Sequence, residues 1–221
     1  MGRERLFSYR EQSFSDSLLM SRHPTAPLPD DGLDAALRLF WRQGYFDTSM
    51  DHLVTASGLN RKAIYAEFGG KQALFEAMLL RYREQVMAPA LAPLREPEAS
   101  LPALERFWHQ FAGRADGPES QLGCLMVNAA TEVAPHVRPV ARIVRTYLDD
   151  VRALFRAAVV RAVARGQLRQ EADPDALADY LVGALLGLMT MARAPVPRDA
   201  LVRYVHGVLA SLGSQTVLGK L

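Results

Sequence analysis

Three adjacent side chains, Asn60, Arg61 and Lys62, open the stretch "NRKAIYAEF". Arginine pairs bidentately with a guanine edge and asparagine with an adenine edge, while a lysine ammonium suits a phosphate. Asn60 starts a short helix in which Ile64 and Tyr65 face inwards, and Ile64 and Phe68 hold it against its neighbours. Ahead of it, "TSMD" restarts the chain after Gly44. Thr48 is the expected cap, with Asp51 three residues on at capping-box spacing. Hydroxyls and free N–H groups at a helix start, here Thr48 and Ser49, also suit phosphates. Two short helices joined through "ASGLN" make a helix-turn-helix arrangement, whose second helix enters a DNA major groove by its N-terminus. A plain helical protein accounts for the same residues as caps and solvated surface.

The chain that must position these groups has 221 residues, 49% of them hydrophobic, enough for a substantial core. Its formal charge of +2 does not mark a nucleic-acid binder by itself. The first 75 residues carry nine basic and nine acidic side chains; residues 60–83 carry five and two, so the basic patch is local. A single cysteine, Cys124, allows no disulfide within the chain and suggests a reducing compartment. No apolar run follows the basic start, and the longest greasy stretch, Leu181 to Ala192, reads as a buried helix too short for a bilayer. A cytoplasmic protein without membrane contact is expected.

Periodicity predicts an all-α fold of about nine helices. After an irregular, proline-containing segment over 1–29, Leu33, Leu37 and Phe40 form one stripe, capped by Asp30 or Asp31 and ended by Gly44. A second helix carries Met50, Leu53 and Val54 inwards and stops near Gly58. "GGK" closes the third helix and starts a fourth, with Leu74, Phe75, Met78, Leu79 and Tyr82 inside. "PEASLPALERFWHQFAG" places Leu104, Phe107, Trp108 and Phe111 on one side. "LGCLMVNAATEVA", a long helix from Val137 to about Ala164, and two final helices complete the chain. No segment reads as a strand. The predicted units are an arm over 1–29, a helix-turn-helix domain over 30–76 and a helical bundle over 77–215.

"GYFDTSMDHLVTASGLNRKAIYAEFGGKQALFEAML" strongly resembles the DNA-binding domain of TetR-type transcriptional regulators. The elements that carry the likeness are Gly44 with an aromatic, Thr48-Ser49, Ala56, Gly58, Tyr65, Phe68, Gly70-Lys71 and Leu74-Phe75. The resemblance, which extends over about 30 to 213, implies a homodimeric repressor released from a double-stranded DNA operator by a small-molecule effector. It implies phosphate contacts from Thr48 and Ser49, and reading by Asn60, Arg61, Lys62 and Tyr65. It also implies a backbone contact from Lys71. One departure stands out: "SYREQSFSDSLLMSRHPTAPLPDD" separates "MGRERLF", which resembles an arm, from the first helix. Either Arg3 and Arg5 reach a minor groove, or the segment is disordered, which is the preferred reading.

For the bundle the resemblance implies a pocket and a twofold interface. Pocket candidates are Trp108, Phe111, Cys124, Met126, Asn128, Tyr147, Phe155 and Met189, with plain core as the competing reading. Interface candidates are Gly183 and Gly187, small residues that let a helix approach closely, and the stripe Leu201, Val205, Val208 and Leu212; the competing reading puts them in the protomer core. Cys124 reads as a small buried hydrophobe, since no basic neighbour activates it. The histidines 23, 52, 109, 136 and 206 form no metal-spaced cluster, and no phosphate-cradling loop or nucleophile elbow is present. No enzyme, cofactor or metal is expected. Two alternatives stand beside the repressor: a helical adaptor or protein-interaction module, which has no use for an Asn-Arg-Lys turn, and a regulator that activates on ligand binding, which the sequence does not separate from a repressor.

Overall fold

A computed structural model describes residues 28–113, 120–194 and 196–214. Every regular element in them is helical. The N-terminal unit comprises α1 (Asp30–Gln43), α2 (Met50–Ser57), α3 (Arg61–Phe68) and the start of α4 (Lys71–Tyr82). The arm with Arg3 and Arg5 lies outside the described residues.

An isolated eight-residue helix is unstable in water, so α2 and α3 depend on what they bury. Each offers one fully buried side chain, Leu53 and Ile64 respectively. Burial of such a side chain contributes roughly 1.5–3 kcal/mol. They meet Ala36, Leu37 and Phe40 of α1 and Leu74, Phe75, Met78 and Leu79 of α4 in one continuous core. Phe40 and Phe75 pack edge to face with centroids 5.0 Å apart.

α4 runs on through a π-helical turn, Arg83–Met87, into the body of the protein. There follow α5 (Ala92–Arg95), α6 (Leu101–Gly113), a 3-10 turn (Ser120–Leu122), α7 (Leu125–Glu132), α8 (Arg138–Ala164), α9 (Pro174–Arg193) and α10 (Arg198–Gly213). Nine of these helices have eight residues or more among the described residues. The 27-residue α8, about 40 Å long by its rise per residue, is the central strut. It packs along α9 and also against α4, α6 and α7, while α10 lies over α6 and α9. Its buried face, Val140, Val144, Tyr147, Val151, Phe155 and Ala158, is the one its spacing predicts.

Three expectations change. Neither Asp30 nor Asp31 caps α1, whose N-cap is Pro29. Asp30 instead pairs with Arg81 of α4 at 3.0 Å and Asp34 does so at 2.7 Å, tying the two helices together. The sixth helix begins at Leu101, not near Pro97. Finally, α9 extends beyond its apolar run to 20 residues, long and apolar enough by composition to cross a membrane. Here Ala178, Leu181, Leu185 and Leu188 are buried in the bundle as one face of the helix.

Candidate functional site

Gly58 makes the turn between α2 and α3 possible. It ends α2 at φ +66°, a left-handed conformation that a side chain disfavours. The next helix starts cleanly because Asn60 caps it: its side-chain oxygen accepts from the Lys62 N–H at 2.8 Å. Arg61 and Lys62 follow on the exposed first turn, with Tyr65 one turn further on and 49% exposed. The inward placement expected for Tyr65 is therefore corrected; Ile64, fully buried, and Phe68, partly buried against the core, hold α3 in place. Asn60, Arg61, Lys62 and Tyr65 share one end of the molecule, but the Asn60 oxygen is engaged in the cap.

The start of α2 differs from expectation by one residue. Ser49, not Thr48, is the N-cap: its hydroxyl accepts from the His52 N–H at 3.0 Å, and His52 Nδ1 accepts from the Ser49 N–H at 3.4 Å. Histidine thus takes the carboxylate's place in a capping box. Thr48 is fully buried and donates to the Gly44 carbonyl at 2.6 Å, so its side chain turns away from any phosphate. Asp51, exposed at the second position of α2, pairs with the Arg61 guanidinium across the turn.

Lys71 is also committed internally. Its ammonium donates to the carbonyls of Tyr45 at 3.0 Å and Thr48 at 2.9 Å and lies over the Tyr45 ring. Burial pushes its pKa below the usual lysine value, opposed by the nearby Glu132 charge. A phosphate contact from this side chain is thereby corrected; Lys71 instead fixes the loop that presents Ser49. The other side of that loop meets α7: Glu132 accepts from the Phe46 N–H at 2.9 Å, and the Phe46 and His136 rings lie edge to face. The Trp41 indole donates to the Gly123 carbonyl at 3.2 Å.

In the body, Trp108, Cys124, Met126, Tyr147, Phe155 and Met189 are all buried, and Phe111 is partly so. Asn128 donates to the Leu122 carbonyl at 3.0 Å, an internal role. Trp108 stacks on Phe155 with centroids 6.3 Å apart. The Trp108 indole nitrogen is buried without any hydrogen-bond partner, while the buried Tyr147 hydroxyl meets only the Cys124 thiol. The hydroxyls of Tyr82 and Tyr147 lie near the Cys124 sulfur, and burial raises the pKa of that thiol and of both phenols. Cys124 is accordingly a neutral, buried thiol. Among the described residues no group of three or more His, Cys, Asp or Glu side chains is placed to hold a metal.

The predicted interface divides. Val205, Val208 and Leu212 are buried within the protomer, and Leu201 packs partly against its core. Gly187 also serves the protomer, because the Tyr204 hydroxyl occupies the space beside it and donates to the Ala184 carbonyl at 3.1 Å. Val205, Val208 and Leu212 are corrected from interface to core, while Leu201 and Gly187 are partly buried. Gly183 differs: it is exposed, with nothing within 4 Å of where a Cβ would stand. Gly207 on α10 is likewise exposed and open.

Sequence reading gave Asp51 a capping-box role in place of its ion pair with Arg61, and missed the roles of His52 and Glu132. His52 had a signal, its place three residues after Ser49. The Asp51–Arg61 pair and the Glu132 contact act across the fold and have none.

Comparison with known proteins agrees with this geometry. The model of the family "Bacterial regulatory proteins, tetR family" matches residues 33–78, and that of the "Tetracyclin repressor-like, C-terminal domain" matches 100–208. The chain is 30% identical over 175 residues to the HTH-type transcriptional repressor ComR of Escherichia coli (strain K12), covering 79% of this chain and 83% of that protein. It is 28% identical over 181 residues to the uncharacterized HTH-type transcriptional regulator YezE of Bacillus subtilis (strain 168), covering 81% and 93%. A solved structure of the TetR family regulator CifR, a cysteine mutant complexed with 26-bp operator DNA, superposes with a TM-score of 0.75 at 27% identity, covering 86% of this chain and all of that one. With a helix-turn-helix at one end, a helical body behind it and both halves matched, the chain belongs to the TetR family of bacterial transcriptional regulators.

Proposed function

We propose that this protein is a sequence-specific repressor that binds a double-stranded operator as a homodimer in the cytoplasm and leaves it when a small-molecule effector enters the body. One observation carries the reading: Arg61, Lys62 and Tyr65 stand exposed on the first turns of a helix that a glycine turn presents outwards. Arg61 reads a base edge, and Lys62 and the start of α2 at Ser49 meet phosphates. Asn60 contributes to that end as the cap. The operator-bound structure of CifR and the repressor name of ComR support the same conclusion. A twofold dimer joined through the outer faces of α9 and α10 around Gly183 would set two reading helices about one DNA turn apart, roughly 34 Å.

The effector site is supported by Trp108, whose indole N–H is buried and unpaired. A buried polar group left unpaired costs about 1–3 kcal/mol, and a neutral molecule with an acceptor oxygen would recover it. α7 connects that region, at Cys124 and Met126, to Glu132 and the loop before α2. A ligand that fits a displaced α7 better than the present one would shift the reading head.

The test is selection of bound duplexes from a random pool, with salt dependence recorded. A palindrome of half-sites one turn apart is expected; weak salt-sensitive binding without a motif overturns the reading. R61A then loses preference at one base pair per half-site. K62A weakens binding to all sequences and lowers the salt slope by about one per subunit.

A further inference from the structure

We propose that Asp51 is a positioning residue for sequence reading, holding the Arg61 guanidinium in the orientation that meets a base edge. The inference rests on the reading of Arg61 as a base contact. Asp51 occupies the second position of α2, beside the Ser49 cap, and accepts from Arg61 Nη2 at the start of α3. Both backbones are already fixed, one by the Ser49–His52 capping box and the other by the Asn60 cap. The pair therefore bridges two capped helix starts, whose backbones fix the points from which the two side chains meet.

The location argues against a role in stability for the Asp51–Arg61 pair. The Asp51 side chain is 85% exposed, and exposed ion pairs contribute little to folding. A carboxylate at a helix N-terminus is favourable by itself, which needs no Arg61. On an end that approaches DNA, a negative charge repels phosphates and weakens binding to every sequence. Orientation is what the pair adds. Arginine has five N–H donors and a long, flexible stem. Asp51 takes one terminal nitrogen, and the remaining donors exceed the two that a bidentate guanine contact uses.

The test compares the duplex recovered by selection with a shuffled duplex of the same composition. Wild type, D51A, D51N, R61A and D51A/R61A are measured across salt, with helical content and oligomeric state checked for each. D51A is expected to bind the shuffled duplex several-fold more tightly, with a salt slope steeper by about one per subunit. Its selected-to-shuffled affinity ratio should nevertheless fall about ten-fold. D51N, which keeps an acceptor oxygen, should retain more of the ratio. In the R61A background, D51A should leave the ratio unchanged while still raising affinity for the shuffled duplex. An unchanged or higher ratio in D51A overturns the proposal, as does an equal fall in the R61A background, which would place the effect on α2 itself. A wild-type ratio in R61A removes the base-reading role on which the proposal rests, and so is distinguishable from failure of Asp51 alone.

Discussion

Arg193, the last residue of α9, donates to the carbonyl of Trp41 at 3.1 Å and to that of Arg42 at 3.0 Å. Those carbonyls belong to the final turn of α1, where a helix has no acceptor partners of its own and carries partial negative charge. The body of the protein thus caps the first helix of the DNA-binding unit. Removing the cation should loosen the junction without touching the reading turn. R193A is expected to cost about 1 kcal/mol, a fall of a few degrees in Tm, and to speed hydrogen exchange at the end of α1. Base preference on selected duplexes should persist. An unchanged Tm together with unchanged exchange would refute the capping role.

Gly44 closes α1 at φ +84° and ψ 176°, a region open essentially to glycine, and a Cβ there would stand 2.7 Å from the Glu132 carboxylate. Two costs are superposed and separable. G44A should destabilise by about 2–3 kcal/mol or more, from backbone strain and from displacing Glu132. E132A alone should cost about 1 kcal/mol through the lost Phe46 N–H bond. In the E132A background G44A should become cheaper but still cost about 1–3 kcal/mol, the strain that remains. Denaturant midpoints of the four proteins measure this, and full rescue would show that strain plays no part.

Gly183 and Gly187 look equivalent in sequence and should behave differently. Alanine improves helix propensity by about 1 kcal/mol over glycine. At exposed Gly183 that gain should appear in the protomer, while dimer dissociation, followed by sedimentation, rises if partner helices meet there; G183L should abolish the dimer. At Gly187 the gain should be offset by the Tyr204–Ala184 bond that a Cβ disturbs, leaving protomer stability near its starting value. A dimer indifferent to G183L would move the interface elsewhere.

Alkaline pH should destabilise the fold. Burial raises the pKa values of Cys124, Tyr82 and Tyr147 above their ordinary values of 9.0, 10.0 and 10.0. Below those values both folded and unfolded states hold the protons, and the stability is intact. Above them the unfolded chain releases protons that the folded chain retains, so stability falls as pH rises from about 9 towards the raised values. Tm should drop progressively over that range. C124A should delay the onset to the tyrosine range; an identical pH profile in C124A would exclude the thiol.

Local chemistry was legible because it is written in consecutive residues. The stripe on α8, the glycine after α2, the Asn60 start of α3 and the inward face of α4 all follow from periodicity and capping, which depend on neighbours within a turn or two. From those features and a family resemblance, the sequence by itself determined an all-helical DNA-binding regulator and the place of its helix-turn-helix. Residue roles were less accessible wherever two explanations share one local pattern. Thr48 and Ser49 both suit a cap; only burial under Gly44 decides that Thr48 is core. Lys71 suits a phosphate until Tyr45 and Thr48 arrive from 26 and 23 residues away. Val205, Val208 and Leu212 form the same stripe whether they meet a partner or, as here, their own bundle. The pairs Asp51–Arg61, Glu132–Phe46 and Arg193–Trp41 leave no trace in spacing, because side chains distant along the chain meet only after helices pack. Helix formation is a short-range equilibrium that sequence encodes directly, whereas the commitment of a polar or apolar group to inside, outside or a distant partner is decided by the tertiary structure that surrounds it.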